Sequence, residues 1–257
     1  MIDLHSHVLP GIDDGPETIE GSLALARAVA DSGVRTLMAT PHVSWRYPNA
    51  AETIAPLVQE VNARVQAEGI ELEIRAGAEI AMTRAAELDP DELSRLTLGG
   101  GEWLLIECPF TPVATGMDAL VLDLQRRGHR VVLAHPERCP AFHRDRRPLE
   151  MLVRGGVLTS ITAGSLVGRF SGEVQRFAMQ LVREDLVHNV ASDTHDTGRR
   201  PPGMASELEQ AGLGALSEWL TQSVPAAILD GGPIPPRPAY EAPSARRSWK
   251  PWQRQKT

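Results

Sequence analysis

Two histidines one residue apart, His5 and His7, open the chain, and Asp193 and His195 repeat that spacing near its far end. Alternate side chains of an extended strand share a face, so each pair presents both of its groups to one side. Five of the eight histidines (His5, His7, His42, His135 and His195) stand at or just after the end of a short apolar run, and Glu79, Glu107 and Asp193 hold equivalent places. Asp14 lies in the loop after the first run. Taken singly, each is weak. A lone histidine such as His129 or His188 is usually a hydrogen-bonded structural residue, Glu107 could cap a helix, and Asp-Gly-Pro is a common turn. Together they form a set of imidazoles and carboxylates without thiolate, which suits manganese, zinc or iron(II) over copper(I) or an iron–sulfur cluster. Nine ligands are too many for one ion. A shared carboxylate such as Glu79 would bridge two cations, the arrangement that clamps the attacking and leaving oxygens of a phosphoryl transfer.

Two arginines add an anion site. Arg138 follows His135 in "HPER", and Arg200 follows His195 in "DTHDTGRRPP". A planar guanidinium fork matches the non-bridging oxygens of a phosphoryl group. By spacing alone Arg199 is the equal of Arg200.

The elements that must position these groups show as an alternation of short β-branched runs and longer stretches of helical period, the pattern of β-α units around a parallel sheet. Seven strands are expected at Met1–Leu4, Thr36–Ala39, Leu72–Ala76, Trp103–Ile106, Arg130–Ala134, Leu158–Thr162 and His188–Ala191. Helices are expected over Thr18–Ala30, with Asp14-Gly15-Pro16-Glu17 at its start, and over Ala51–Ala67. In a β/α barrel the ends of such strands meet at one rim, where active sites are built. Length allows one such domain over residues 1–230. From Gly231 onward the chain is proline-rich and basic, and residues 231–257 read as a disordered or loosely attached tail.

That tail hides the acidity of the body. Pro233 to Thr257 holds six of the 26 basic residues and one of the 33 acids, so the remainder carries −12 against −7 for the whole. Such a body is a poor match for nucleic acid, whose binding rests on Lys and Arg neutralising phosphates. No run approaches the ~18 apolar residues of a membrane span, and the two cysteines make no disulfide framework, so a cytoplasmic protein is expected. A cysteine-based phosphatase needs arginine six positions after its nucleophile, whereas Cys108 and Cys139 are followed there by Ala114 and Asp145. A binuclear amidohydrolase barrel also begins with H-x-H. Its carbamylated-lysine subtype is excluded, since no lysine precedes Lys250, but mononuclear relatives are not. A metal-binding regulatory module without catalysis is a third reading.

The ordered motifs "MIDLHSHVLPGIDDGP", "ATPH", "GAE", "LIE", "AHPER" and "ASDTHDTGRRPP" span roughly the first 220 residues. On them the chain resembles the polymerase-and-histidinol-phosphatase (PHP) family, and within it the bacterial manganese-dependent protein-tyrosine phosphatases of capsule and exopolysaccharide loci. The resemblance implies a distorted TIM-like (β/α)7 barrel holding up to three metal ions. One would take His5, His7, Glu79 and Asp193. A second would take Glu79, Glu107 and His135, and a third Asp14, His42 and His195. Arg138 and Arg200 match the phosphate-holding arginines, which resolves the tie with Arg199. The implied substrate is phosphotyrosine on a bacterial tyrosine kinase, hydrolysed by hydroxide generated on the metals. A small-molecule phosphomonoesterase of the histidinol-phosphatase kind is the alternative, and a homo-oligomer is compatible with the pattern. The basic tail departs from the family's pattern; contact with an anionic partner or membrane surface is the alternative to disorder.

Overall fold

The computed structural model describes residues 1–112 and 115–240. Within them run the strand segments β1 (Ile2–Ser6), β2 (Thr36–Ala39), β3 (His42–Val43), β4 (Glu73–Ala76), β5 (Glu79–Ala81), β6 (Trp103–Glu107), β7 (Arg130–Ala134), β8 (Leu158–Thr162) and β9 (Asn189–Ala191). Every pairing among them is parallel, in the orders β1-β2-β4 and β3-β5-β6-β7-β8-β9.

Seven of these segments fall on the seven expected strands, and β3 and β5, outside the expected ranges, continue β2 and β4 past a break. Proline has no N–H to give a ladder, and Pro41 separates β2 from β3. Opposite it, Gly77 and Ala78 separate β4 from β5. The pairing carries across both breaks, since Gly77 N donates to Ala39 O at 3.0 Å and Glu79 N to Pro41 O at 3.1 Å. The barrel closes between β1 and the residues after β9. Asp193 N donates to His5 O and His7 N to Thr194 O, both at 2.9 Å, around a bridge between Ser6 and Thr194. The architecture is a distorted seven-stranded parallel β/α barrel, as expected.

Strands covered on both faces read as continuous apolar runs. Trp103, Leu104, Leu105 and Ile106 of β6 and Val131, Val132, Leu133 and Ala134 of β7 are all fully buried. Helices shield the outside with buried residues at helical spacing, as with Ile54, Val58, Val61 and Val65 of helix Ala51–Ala67. The first helix runs Ile19–Asp31, and the Thr18 hydroxyl caps it by accepting from Gly21 N. Asp14 to Glu17 precede that cap in the loop after β1, as expected for Asp14, which leaves it free for the rim. Among the described residues no helix is long and apolar enough to cross a membrane.

The expectation of a loose tail from Gly231 needs correction as far as Tyr240. Residues 232–240 form no helix or strand, but they are tied down. Trp219 Nε1 donates to Pro235 O at 3.0 Å, Arg237 donates to Val182 O at 2.9 Å and pairs with Asp185, and Tyr240 Oη donates to Gly212 O at 3.0 Å. Prolines suit this segment because its anchors are side chains and carbonyls, which need no strand N–H. The rest of the expected tail, residues 241–257, lies outside the described residues. Replacing Arg237 with Ala should lower unfolding free energy by about 1–2 kcal/mol in urea denaturation. An unchanged midpoint would show that the segment is not held.

Candidate metal centre

His5 and Glu107 lie at or beside the ends of β1 and β6, and His7, His135, Asp193 and His195 just beyond the ends of β1, β7 and β9. His42 and Glu79 open β3 and β5 and face each other in register. Four groups of ligand atoms, each within 4.8 Å of one another, result: His7, Asp14, His42 and His195; His5, His7 and Asp193; His5, Glu79 and His135; His42, Glu79 and Glu107. All nine expected ligands are brought together. The partition differs from the implied one: there are four groups where three were implied, His7 also joins the Asp14 group, Glu79 is missing from the His5–His7–Asp193 group, and the implied Glu79–Glu107–His135 set is split, with His135 beside His5 and Glu107 beside His42.

Glu79 is the hub. Its Oε1 lies 2.6 Å from His135 Nε2, while Oε2 lies 3.2 Å from His5 Nε2, 3.4 Å from His7 Nε2 and 3.0 Å from His42 Nδ1. Asp193 Oδ1 stands 3.4 Å from both His5 Nε2 and His7 Nε2. Asp14 Oδ1 stands 3.2 Å from His195 and 3.5 Å from His42. Although buried, Glu79 Oε2 and Asp193 Oδ1 make no hydrogen bond, and His5 and His7 turn ring nitrogens toward each other at 3.2 Å. Buried polar atoms are normally hydrogen-bonded, so carboxylate oxygens left unpaired among converging ring nitrogens fit a divalent-cation cluster.

The backbone is bent to present them. Of the three non-glycine residues with positive φ among those described, two are His135 (φ 35°) and Asp193 (φ 51°), immediately after β7 and two residues past β9. Such conformations cost about 1–3 kcal/mol each and gather at functional sites. Gly15 meets a different demand: a Cβ there would sit 2.1 Å from His7 O. The loop carrying Asp14 packs directly on the backbone of His7, a candidate ligand.

Several residues that orient the ligands had no signal in the sequence. Asp13, adjacent to Asp14 and indistinguishable from it by type, accepts from His7 Nδ1 at 2.7 Å, from Gly15 N at 3.0 Å and from His42 N at 3.1 Å. A carboxylate behind a histidine fixes its tautomer and ring orientation. Asp3 accepts from His5 N and Ser192 N across the closure seam. Asn49 donates to Ile12 O and His42 O, tying the first loop to β3. Glu137 accepts from Thr162 N and Ser165 Oγ and pins the turn that carries Arg138 to β8.

The electrostatics are those of a crowded anionic hole. Burial, with the Glu79 carboxylate behind it, pushes the Glu107 carboxyl up to about 7. Burial likewise, with Arg138 adding to it, pushes His135 down to about 4. Burial would also lift Asp193, but Arg138, His5 and Arg200 hold it well below the usual carboxylate range. Arg138 Nη2 donates to Asp193 Oδ2 at 2.8 Å, and Arg200 Nη2 donates to the same oxygen while its Nη1 donates to His195 Nε2 at 2.7 Å. Nε of each arginine is buried without a partner. Arg199 makes no such contact through its side chain; only its backbone N–H is engaged, by Asp196. Both cysteines are free and buried.

With this geometry in place, comparison with known proteins identifies relatives. The capsular polysaccharide synthesis family CpsB/CapC matches residues 1–211. The chain belongs to the CpsB/CapC family. Within it, tyrosine-protein phosphatase YwqE of Bacillus subtilis (strain 168) is 37% identical over 201 residues, covering 78% of this chain and 79% of the relative. Tyrosine-protein phosphatase CpsB of Streptococcus pneumoniae is 32% identical over 216 residues, 79% and 86% of the two chains. A solved chain, described with YwqE and CpsB as unique metal-dependent tyrosine phosphatases, superposes with a TM-score of 0.82 at 32% identity, covering 94% of this chain and all of its own. Dihydropyrimidinase of Brevibacillus agri shares the fold alone, at a TM-score of 0.51 and 13% identity.

For this CpsB/CapC chain the role of Asp13 is open to direct test. Asp13→Ala should weaken manganese binding about 10–100-fold in competition with a chelator. Burial opposes ionisation of Asp13, but the His7 contact and the two N–H donors outweigh it and lower its pKa. A lowered carboxyl stabilises above its unfolded value of about 4 and loses that contribution as pH falls through its folded one. In metal-free protein, the stability gap between wild type and Asp13→Asn should therefore be larger at about pH 6 than at about pH 3 by urea denaturation. A gap independent of pH would refute the ionised contact.

Proposed function

We propose that the chain is a metal-dependent protein-tyrosine phosphatase, a phosphoric monoester hydrolase acting on phosphotyrosine. The observation that carries this is the pair of guanidinium groups, Arg138 and Arg200, converging on Asp193 at the edge of a nine-ligand cluster. The ligands proposed are His5, His7, Asp14, His42, Glu79, Glu107, His135, Asp193 and His195, holding up to three ions. Manganese is the cation proposed, with zinc and iron(II) as competitors for the same oxygen and nitrogen donors. The names of the relatives and the family's description in capsular polysaccharide synthesis support a phosphotyrosine protein as substrate, in particular a bacterial tyrosine kinase of capsule or exopolysaccharide assembly. Two buried free cysteines are consistent with action in the cytoplasm.

Bound cations supply the charge that activates water and neutralises phosphoryl oxygens. The protein's own part is placement. Arg138 and Arg200 are already held by Asp193, so little side-chain reorganisation is needed when the phosphate arrives. Glu137 and the Thr194–Arg200 hydrogen bond fix the turns from which the two arginines project. A phenolate, with a reference pKa near ~10, leaves readily without a strong general acid.

Arg138→Ala should retain manganese and lose about 10²–10³-fold in kcat, whereas His5→Ala or Asp193→Ala should lose metal and turnover together. Full activity in Arg138→Ala would remove the phosphate clamp. Manganese-loaded protein should prefer phosphotyrosine peptides to histidinol phosphate. The reverse preference would overturn the substrate while leaving the site chemistry intact, and no turnover on any phosphoester with manganese, zinc or iron would sink the enzyme itself.

A further inference from the structure

Among the described residues four large hydrophobic side chains are well exposed: Trp45, Phe110, Leu122 and Met151. Isolated exposure of this kind needs no explanation. Phe110 differs in what it touches. It follows the end of β6 by three residues, and its ring stacks on the imidazole of His135, with centroids 5.6 Å apart and planes 23° from parallel. Arg138 Cζ lies 5.7 Å from the same ring centroid. Phe110 thus leans on one proposed metal ligand and one proposed phosphate-binding arginine while 55% of it stays open to solvent. A second ring, Phe170, takes both guanidinium groups, Arg138 Cζ at 4.8 Å and Arg200 Cζ at 5.8 Å.

The geometry points to Phe110 as the residue that recognises the aromatic ring of the ester, giving the site its preference for aryl over alkyl phosphates. This rests on the phosphatase function proposed above. In an aryl phosphate the ring is one oxygen away from phosphorus, so a phosphate held by Arg138 and the cations beside His135 brings its ring to the neighbours of those two residues. Phe110 contacts both and has surface to spare. Aromatic pairs in offset or edge-on geometry gain beyond simple burial, and a serine ester offers nothing comparable to that surface. Phe170 has a separate task. It is a positioning residue, backing the guanidinium planes through cation–π contact, and is blind to the leaving group.

Calorimetry on the manganese-loaded full chain separates the two roles, with inorganic phosphate as the ringless probe and phenylphosphonate as the ring-bearing one. Phe110→Ala should weaken phenylphosphonate about tenfold more than it weakens phosphate, Phe110→Tyr should restore phenylphosphonate, and Phe170→Ala should weaken both probes alike. Because Phe110 is largely exposed, its removal should leave the fold intact, and retained phosphate binding reports this directly. Equal effects of Phe110→Ala on both probes, or no effect on either, would overturn the assignment. If wild type binds neither probe, it is the phosphatase function that fails, and the ring recognition falls with it.

Discussion

The barrel closes through the backbone of residues that carry the candidate metal-binding side chains. His5 O and Thr194 O accept from Asp193 N and His7 N, so the two H-x-H-like pairs at opposite ends of the chain are stitched together by the same hydrogen bonds that complete the parallel ring. Sheet register is quantised in steps that flip every side chain to the other face. A slip at this seam would therefore not merely loosen the barrel; it would turn His5, His7 and Asp193 away from the cluster. Asp3, accepting from both sides of the seam, holds the register from within. Fold stability and ligand geometry are thus one constraint.

The cost of that constraint is electrostatic. Buried carboxylates and imidazoles lie within 3–4 Å of one another around Glu79, and burial penalises each ionised form. The chain offsets this only in part. Arg138 and Arg200 pair with Asp193, Asp13 with His7, and Glu107 is left with its carboxyl lifted to about 7. Cations held by this cluster would remove the residual repulsion, since they favour ionised carboxylates and neutral imidazoles. Metal affinity and the strain at His135 and Asp193 are two faces of the same preorganisation.

How much of this is legible in the sequence follows from which signals are local. Strand ends are local: a run such as Val131 to Ala134 followed by a histidine announces both the strand and the ligand after it, and so the ring of candidates follows from residue order alone. The break at Pro41 is visible as a residue, but the continuation of pairing beyond it depends on Gly77 and Glu79, far along the chain. Asp13 and Asp14 show the limit most plainly. Identical in type and adjacent, they take opposite roles because Gly15 packs on His7 O and fixes which carboxylate turns inward. Likewise the anchoring of residues 232–240 depends on Trp219, Val182 and Gly212, none of which marks itself as a receptor.

Asp193 draws these threads together, and its two oxygens divide the work. Oδ1 faces His5 and His7 with no hydrogen bond, while Oδ2 gathers both arginines and stands 3.4 Å from the Thr162 hydroxyl. A carboxylate so divided couples the cation side of the site to the anion side. If Asp193 is one of the cation-holding residues, a bound cation would draw electron density from the carboxylate, weaken its hold on the guanidinium groups and leave the arginines better donors to an incoming phosphate. Were the arginines held by a carboxylate outside the cluster, they would be equally preorganised but indifferent to the metal. Placing them on a proposed ligand would make the anion site respond to the state of the cation site, because the two oxygens of one carboxylate face the two sides.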